Sequence, residues 1–311
     1  MQEQFPNDKT LLANLVDIKK PNLVFNEIRT CISSLPVEFD FEPLEIVFND
    51  IIKLYNGEYE GYKKCNTHYH DLDHTLDALL SMTRLIHGYS LSNQVISGRN
   101  ILRGFLSVLM HDTGYIQTQD DTRGTGAKYT LKHISRSIVF LKKYFNTHSY
   151  STEDFAFCSN CILCTNINTP IHEINFTSPE EVLLGKMLGI SDLVCQMADR
   201  IYLEKLVFLY CEFLEGKVQG FSSELDLFKK TVGFINIATR RWHELDDYNE
   251  YFIDHFRERW NINRDLYMES IKKNIDYLVY ILDVDEKHFD TYLRREGIVP
   301  EAQKHMLSFT E

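Results

Sequence analysis

The segment Thr67-His68-Tyr69-His70-Asp71-Leu72-Asp73-His74 places histidines and aspartates together just ahead of an apolar-periodic run. The i, i+4 spacing predicts His70 and His74 on one face of a helix, about one turn apart, where they can share a site. A second pair, His111-Asp112, follows the apolar run Phe105 to Met110, which delivers an imidazole and a carboxylate to the end of a buried element. Gly189-Ile190-Ser191-Asp192-Leu193 sets a further carboxylate inside an apolar run, where an unpaired charge is costly to bury. Each feature alone reads as a surface hydrogen bond, a helix-end cap or an ion pair. Together, the ordered series His, His-Asp, Asp supplies the nitrogen and oxygen donors that suit a catalytic divalent ion with open water positions.

Positioning such a series requires long helices, and the proline distribution allows them. Prolines stand at 6, 21, 36, 43, 170, 179 and 300, so 44–169 and 180–299 lack the residue that most damages a helix interior. The apolar spacing in these blocks is helical, as in Leu76, Leu79, Leu80, Met82 and Leu85, or Ile101, Leu102, Phe105, Leu106 and Leu109. Ser178-Pro179-Glu180-Glu181 predicts a helix start, with a capping hydroxyl, a first-turn proline and two dipole-matching acids. Residues 113–129 are polar and glycine-bearing and read as a loop. The expected fold is an all-α, single-domain helical bundle spanning 45–311. Residues 1–44, which hold four of the prolines, are expected as an N-terminal extension of irregular or short helices.

Charge narrows the partners. Against 45 acidic residues stand 33 Lys and Arg, a net charge of −12, which repels a nucleic acid polymer but not a small anion held by metal. The N-terminus has no basic region, its apolar run is too short for a signal peptide, and no stretch is long enough to cross a bilayer. A cytoplasmic protein without a membrane partner is expected. Seven cysteines, an odd number, fit reduced thiols. Cys158-x-x-Cys161-x-x-Cys164 lies in an apolar pattern and reads as core thiols, Gly124-x-Gly126 as a turn, and Arg240-Arg241 and Lys272-Lys273 as solvated faces. A homo-oligomer is left open.

The same residues resemble a known family, the HD superfamily of metal-dependent phosphohydrolases, and within it the catalytic domain of class I 3',5'-cyclic nucleotide phosphodiesterases. Tyr69-His70-x-x-x-His74-x-x-Asp77 is similar to that family's YHNxxHAxD signature, with Asp71 in place of asparagine. His111-Asp112 resembles the start of its HDxxH element, and Asp192-Leu193 its late metal-ligand aspartate. Val232-Gly233-Phe234-Ile235 resembles QVGFI, and Asn263-Arg264-Asp265-Leu266-Tyr267 resembles NREWY. The likeness runs in order over about residues 60–275.

The resemblance implies that His74, His111, Asp112 and Asp192 hold one tightly bound ion (Zn, Fe, Mn or Ni), with Asp112 bridging towards a second (Mg or Mn). It implies metal-activated hydroxide attack on phosphorus, with His70 outside the ligand set as general acid. Tyr69, Thr231, Phe234 and His133 are the implied substrate contacts, Phe234 stacking on a base and His133 serving as phosphate contact or extra ligand. Departures fall elsewhere: Tyr115 replaces the second histidine of HDxxH, Lys132-His133 replaces glutamate and asparagine, Asn166 an aspartate, and Thr231 the glutamine that holds the purine edge. They leave the first metal site whole and fall on the second metal site and on base recognition. The expected activity is hydrolysis of a phosphodiester in a cyclic or related small nucleotide. A phosphomonoesterase on the same core, or a degenerate nucleotide-sensing or protein-interaction module, are the alternatives.

Overall fold

A computed structural model describes residues 10–92 and 96–300. Eleven α-helices lie among them, and the only ladder pairing is an isolated bridge between Tyr62 and Thr118. The all-α bundle expected from the periodicity is the fold found. Among the described residues, no helix is long and apolar enough to cross a membrane.

At the centre is α3, Leu72–Ser92, buried along almost its whole length from His74 to Ser90. It packs against α7 (Pro179–Ala198), α10 (Tyr251–Trp260), α1 (Pro21–Ser33) and α4 (Gly98–Met110). Helices apolar all round belong in the middle of a bundle, whereas the outer helices show one apolar stripe. α7 begins as its sequence predicts: Ser178 Oγ accepts from the Glu181 amide and Pro179 occupies the first turn. The remaining helices are α2 (Phe41–Asn56), α5 (His133–Thr147), α6 (Thr152–Leu163), α8 (Tyr202–Glu215), α9 (Glu224–Glu244) and α11 (Leu266–Asp285).

The boundary at 44/45 has no counterpart. It falls inside α2, and the segment expected as an extension of irregular or short helices contains the 13-residue α1, whose Val24, Phe25, Ile28 and Ile32 join the core. The reason lies in proline position. Pro21 is the first residue of α1 and Pro43 sits in the first turn of α2, where a missing amide proton costs no helical hydrogen bond. Pro6 lies outside the described residues. Arg241 also differs from its reading as a solvated residue. It is buried and donates to the carbonyls of Cys164, Asn166 and Thr169. The three cysteines of the CxxCxxC pattern are buried free thiols, as expected of core residues.

The loop after α4 is fastened to α5. Ser137 Oγ accepts from the Gly114 amide at 2.9 Å, and Arg136 donates to the carbonyls of Gly114 and Ile116 at 2.7 and 3.0 Å. Gly114 permits this approach, since a Cβ there would lie 1.9 Å from the His133 carbonyl oxygen. Gly114→Ala is therefore expected to destabilise the fold by about 1–3 kcal/mol, the usual cost of forcing atoms into a packed interior, which thermal unfolding would register.

Candidate metal centre

Four side chains converge from three parts of the bundle. His74 sits in the first turn of α3, where the Asp71 carboxylate caps the helix by accepting from the His74 amide at 2.9 Å. His111 and Asp112 directly follow α4, and Asp192 lies within α7. His74 Nε2 is 3.3 Å from His111 Nε2, 3.3 Å from Asp112 Oδ2 and 3.1 Å from Asp192 Oδ1. His111 Nε2 is 3.4 Å from Asp112 Oδ2 and 3.5 Å from Asp192 Oδ1. Donors about 2.1 Å from a shared ion stand about 3.0 Å apart in an octahedron and about 3.4 Å apart in a tetrahedron. The spacings among His74, His111 and Asp112 suit a common ion, and Asp192 Oδ1 lies within 3.5 Å of both imidazoles.

The donor chemistry supports the same fit. His111 Nδ1–H donates to the Val108 carbonyl at 2.7 Å, so in the neutral ring Nε2 carries a lone pair facing two carboxylates. Asp112 Oδ2 is buried without a hydrogen-bond partner. Lone pairs converging in a dry site repel one another unless a cation, proton or metal, lies among them. Around the cluster, Gln196 Nε2 donates to Asp192 Oδ1 at 2.7 Å, and Tyr69 Oη donates to Gln196 Oε1 at 2.9 Å. Cys195 Sγ stands 3.7 Å from His74 Nδ1.

Burial works against charge on His111, yet the Asp112 and Asp192 carboxylates outweigh it and push the imidazole up to about 10. His74 is raised against burial by Cys195 and then by Asp112 and Asp192, while both carboxylates are held low by the imidazoles despite burial. A metal-free cluster thus holds protons that an ion must displace. Metal affinity is expected to rise with pH through neutrality towards about 10, by about tenfold per unit for each proton released. Dissociation constants for Zn at pH 6, 7 and 8 would check the slope, and a pH-independent affinity would contradict it.

His70 does not share a helix face with His74, because α3 begins only at Leu72. It lies in the preceding turn, held by Thr67 Oγ1 donating to its carbonyl at 2.7 Å, and its ring centre is still 5.9 Å from that of His74. Its Nδ1–H donates to Glu212 Oε2 at 2.6 Å, and Glu212 Oε1 accepts from the amides of His68 and Tyr69 at 2.9 and 2.7 Å. That fixes the ring and leaves Nε2 free. Glu212 was not among the residues expected at the site. Its one signal in the sequence is an acid inside the apolar run of α8, as with Asp192.

Tyr115 packs against two imidazoles, its ring centre 4.4 Å from that of His70 and 4.7 Å from that of His133, whose own centres are 6.2 Å apart. His133, the first residue of α5, donates from Nδ1 to the Thr130 carbonyl at 2.6 Å and brings Nε2 to 3.8 Å from Asp112 Oδ1. Burial lowers its pKa, against the pull of the Asp112 carboxylate. Asn166 turns away: its Oδ1 accepts from the Asn168 amide in its own loop.

Beside His70 and His133 opens a pocket of about 640 Å³ lined also by Tyr69, Thr231 and Phe234. The expected substrate contacts thus border one cavity. Thr231 is buried on α9, its hydroxyl donating to the Leu227 carbonyl at 2.9 Å. Comparison with protein-family models, curated proteins and solved structures finds no match to the chain.

Proposed function

We propose that this protein is a metal-dependent phosphoester hydrolase that cleaves a phosphodiester in a cyclic or related small nucleotide. The reading rests above all on the buried Asp112 Oδ2, which makes no hydrogen bond yet faces the His74 and His111 imidazoles at 3.3 and 3.4 Å, beside a pocket into which a separately anchored histidine can act. His74, His111, Asp112 and Asp192 would hold one divalent ion, and Asp112 Oδ1 with His133 Nε2 would offer two donors to a second. A divalent ion bound there supplies positive charge for the phosphoryl oxygens and acidifies a water to near-neutral pKa. His70 lies outside the donor set and acts as general acid. Glu212 orients the ring through Nδ1, so that Nε2 can carry the proton to the departing ester oxygen.

Gln196 and Cys195 keep Asp192 and His74 in register, as partners behind metal ligands do. Tyr115 stacks on both His70 and His133 and fixes the two rings beside each other. The activity test is hydrolysis of bis(4-nitrophenyl) phosphate and of mononucleotides by metal-loaded and metal-stripped protein. Metal-dependent cleavage of the diester is expected. Cleavage of mononucleotides alone would turn the assignment to a phosphomonoesterase, and no cleavage of either would contradict it.

Selectivity between purines should be weak. A carboxamide can both donate to and accept from a purine edge, whereas the Thr231 hydroxyl is spent on its own helix. One paired polar contact in a dry pocket is worth about 1–3 kcal/mol. Specificity constants for cyclic AMP and cyclic GMP are expected to differ by less than about tenfold, or about 1.4 kcal/mol. Thr231→Gln should raise affinity for a purine substrate in a direct binding titration.

A further inference from the structure

We infer that the pocket takes phosphodiesters whose leaving alcohol carries a flat apolar group, and that it holds any heteroaromatic ring by its face without reading its edge. This rests on the phosphodiesterase reading and names the substrate class for that site.

The walls are built from the apolar side chains of three helices: Leu193 and Met197 on α7, Leu206 and Leu209 on α8, and Phe234 and Ile237 on α9. Polar side chains do line the cavity, but its one carboxamide and the hydroxyl hydrogens of its two threonines are already engaged. Gln196 uses its carbonyl on Tyr69 and its amide on Asp192, so the carboxamide cannot turn to meet a base. Thr231 donates to Leu227, and Thr130 donates to the Ala127 carbonyl at 2.7 Å. The two lysines at the rim face acids: Lys229 Nζ is 2.7 Å from Glu286 and Lys230 Nζ is 2.8 Å from Asp226.

A purine entering this cavity gives up the water on its ring nitrogens and exocyclic group and finds no free carboxamide to pair with its edge, since Gln196 is held at both ends. Unmade hydrogen bonds of that kind reject a polar ligand more strongly than a missing apolar contact does. A phenyl or alkyl group gives up no hydrogen bonds, and burial of its surface favours binding. Phe234 can stack on either ring. The paired lysines supply no surplus positive charge for a di- or triphosphate, so one phosphate between two alcohols is the form that fits. In the reaction, water oxygen bonds to phosphorus and the phosphorus–oxygen bond to the leaving alcohol breaks. The His70 proton goes to that oxygen and the proton shed by the attacking water restores the imidazolium through solvent, giving a monoester and a free alcohol.

The test uses matched diesters with primary alcohols of similar leaving ability: methyl 2-phenylethyl phosphate, methyl 2-(adenin-9-yl)ethyl phosphate and dimethyl phosphate. Released alcohol would be measured with the full chain loaded with Zn and with Mn. The phenylethyl ester is expected to exceed the adeninylethyl ester in specificity constant by at least tenfold, with dimethyl phosphate the poorest. Turnover in which the adenine ester equals or exceeds the phenyl ester would overturn this inference while leaving the phosphodiesterase reading standing. Failure to cleave any of the three, with bis(4-nitrophenyl) phosphate also intact, would overturn both.

Discussion

Protein carrying Asp112→Ala is expected to retain little of the transition metal bound by the wild type, and to lose activity in proportion. Asp112 is the one residue of the cluster with an oxygen on each side. Oδ2 stands 3.3 and 3.4 Å from the two imidazole Nε2 atoms, and Oδ1 faces His133. Removing it deletes a donor, a negative charge and the bridge towards His133 together. Loss of one ligand from a four-donor set weakens binding far more than loss of a residue behind the ligands, for which 10- to 100-fold is typical. Elemental analysis after dialysis would measure this directly. Gln196→Ala is a useful companion, since its loss frees Asp192 without removing a donor and should cost only that smaller factor. Equal metal content in Asp112→Ala and wild type would contradict the assignment.

The second large effect belongs to His70. His70→Ala should lower turnover by about 10²- to 10⁴-fold on a diester with a poor leaving group, the usual contribution of a positioned general acid. Metal content should stay intact, because His70 Nδ1 is held by Glu212 and the ring is not part of the donor cluster. On an activated aryl diester, whose leaving group departs without a proton, the loss should be much smaller. Glu212→Gln keeps an oxygen for the amides of His68 and Tyr69 but removes the charge opposite the imidazolium, so it should show the same split at lower amplitude. Equal losses on the two substrates would mean that His70 is structural.

The helical architecture could be read from the chain because its signals are local. Ser178-Pro179 is a capping hydroxyl with a first-turn proline, and the structure uses both. The convergence of His74, His111, Asp112 and Asp192 was legible because histidines and aspartates recur in order ahead of, behind and within apolar runs. What stayed hidden was of two sorts. Pro21 and Pro43 look like breakers in composition, and only their place in the first turn shows that they begin α1 and α2. Glu212 and Tyr115 meet His70 across the bundle. The Glu212 contact spans 142 residues, and periodicity within one helix says nothing about which turn of another will face it. The start of α3 at Leu72 likewise moved His70 off the helix face that its spacing to His74 implied. Their proximity survives because the turn before α3 folds back onto the cluster through Thr67 and Glu212.

Anomalous scattering from crystals grown with Zn, recorded on both sides of its absorption edge, tests the central claim most directly. The account predicts a single dominant peak within bonding distance, about 2.0–2.2 Å, of His74 Nε2, His111 Nε2, Asp112 Oδ2 and Asp192 Oδ1. A dominant Zn peak elsewhere, with these four side chains bonded only to one another, would contradict it.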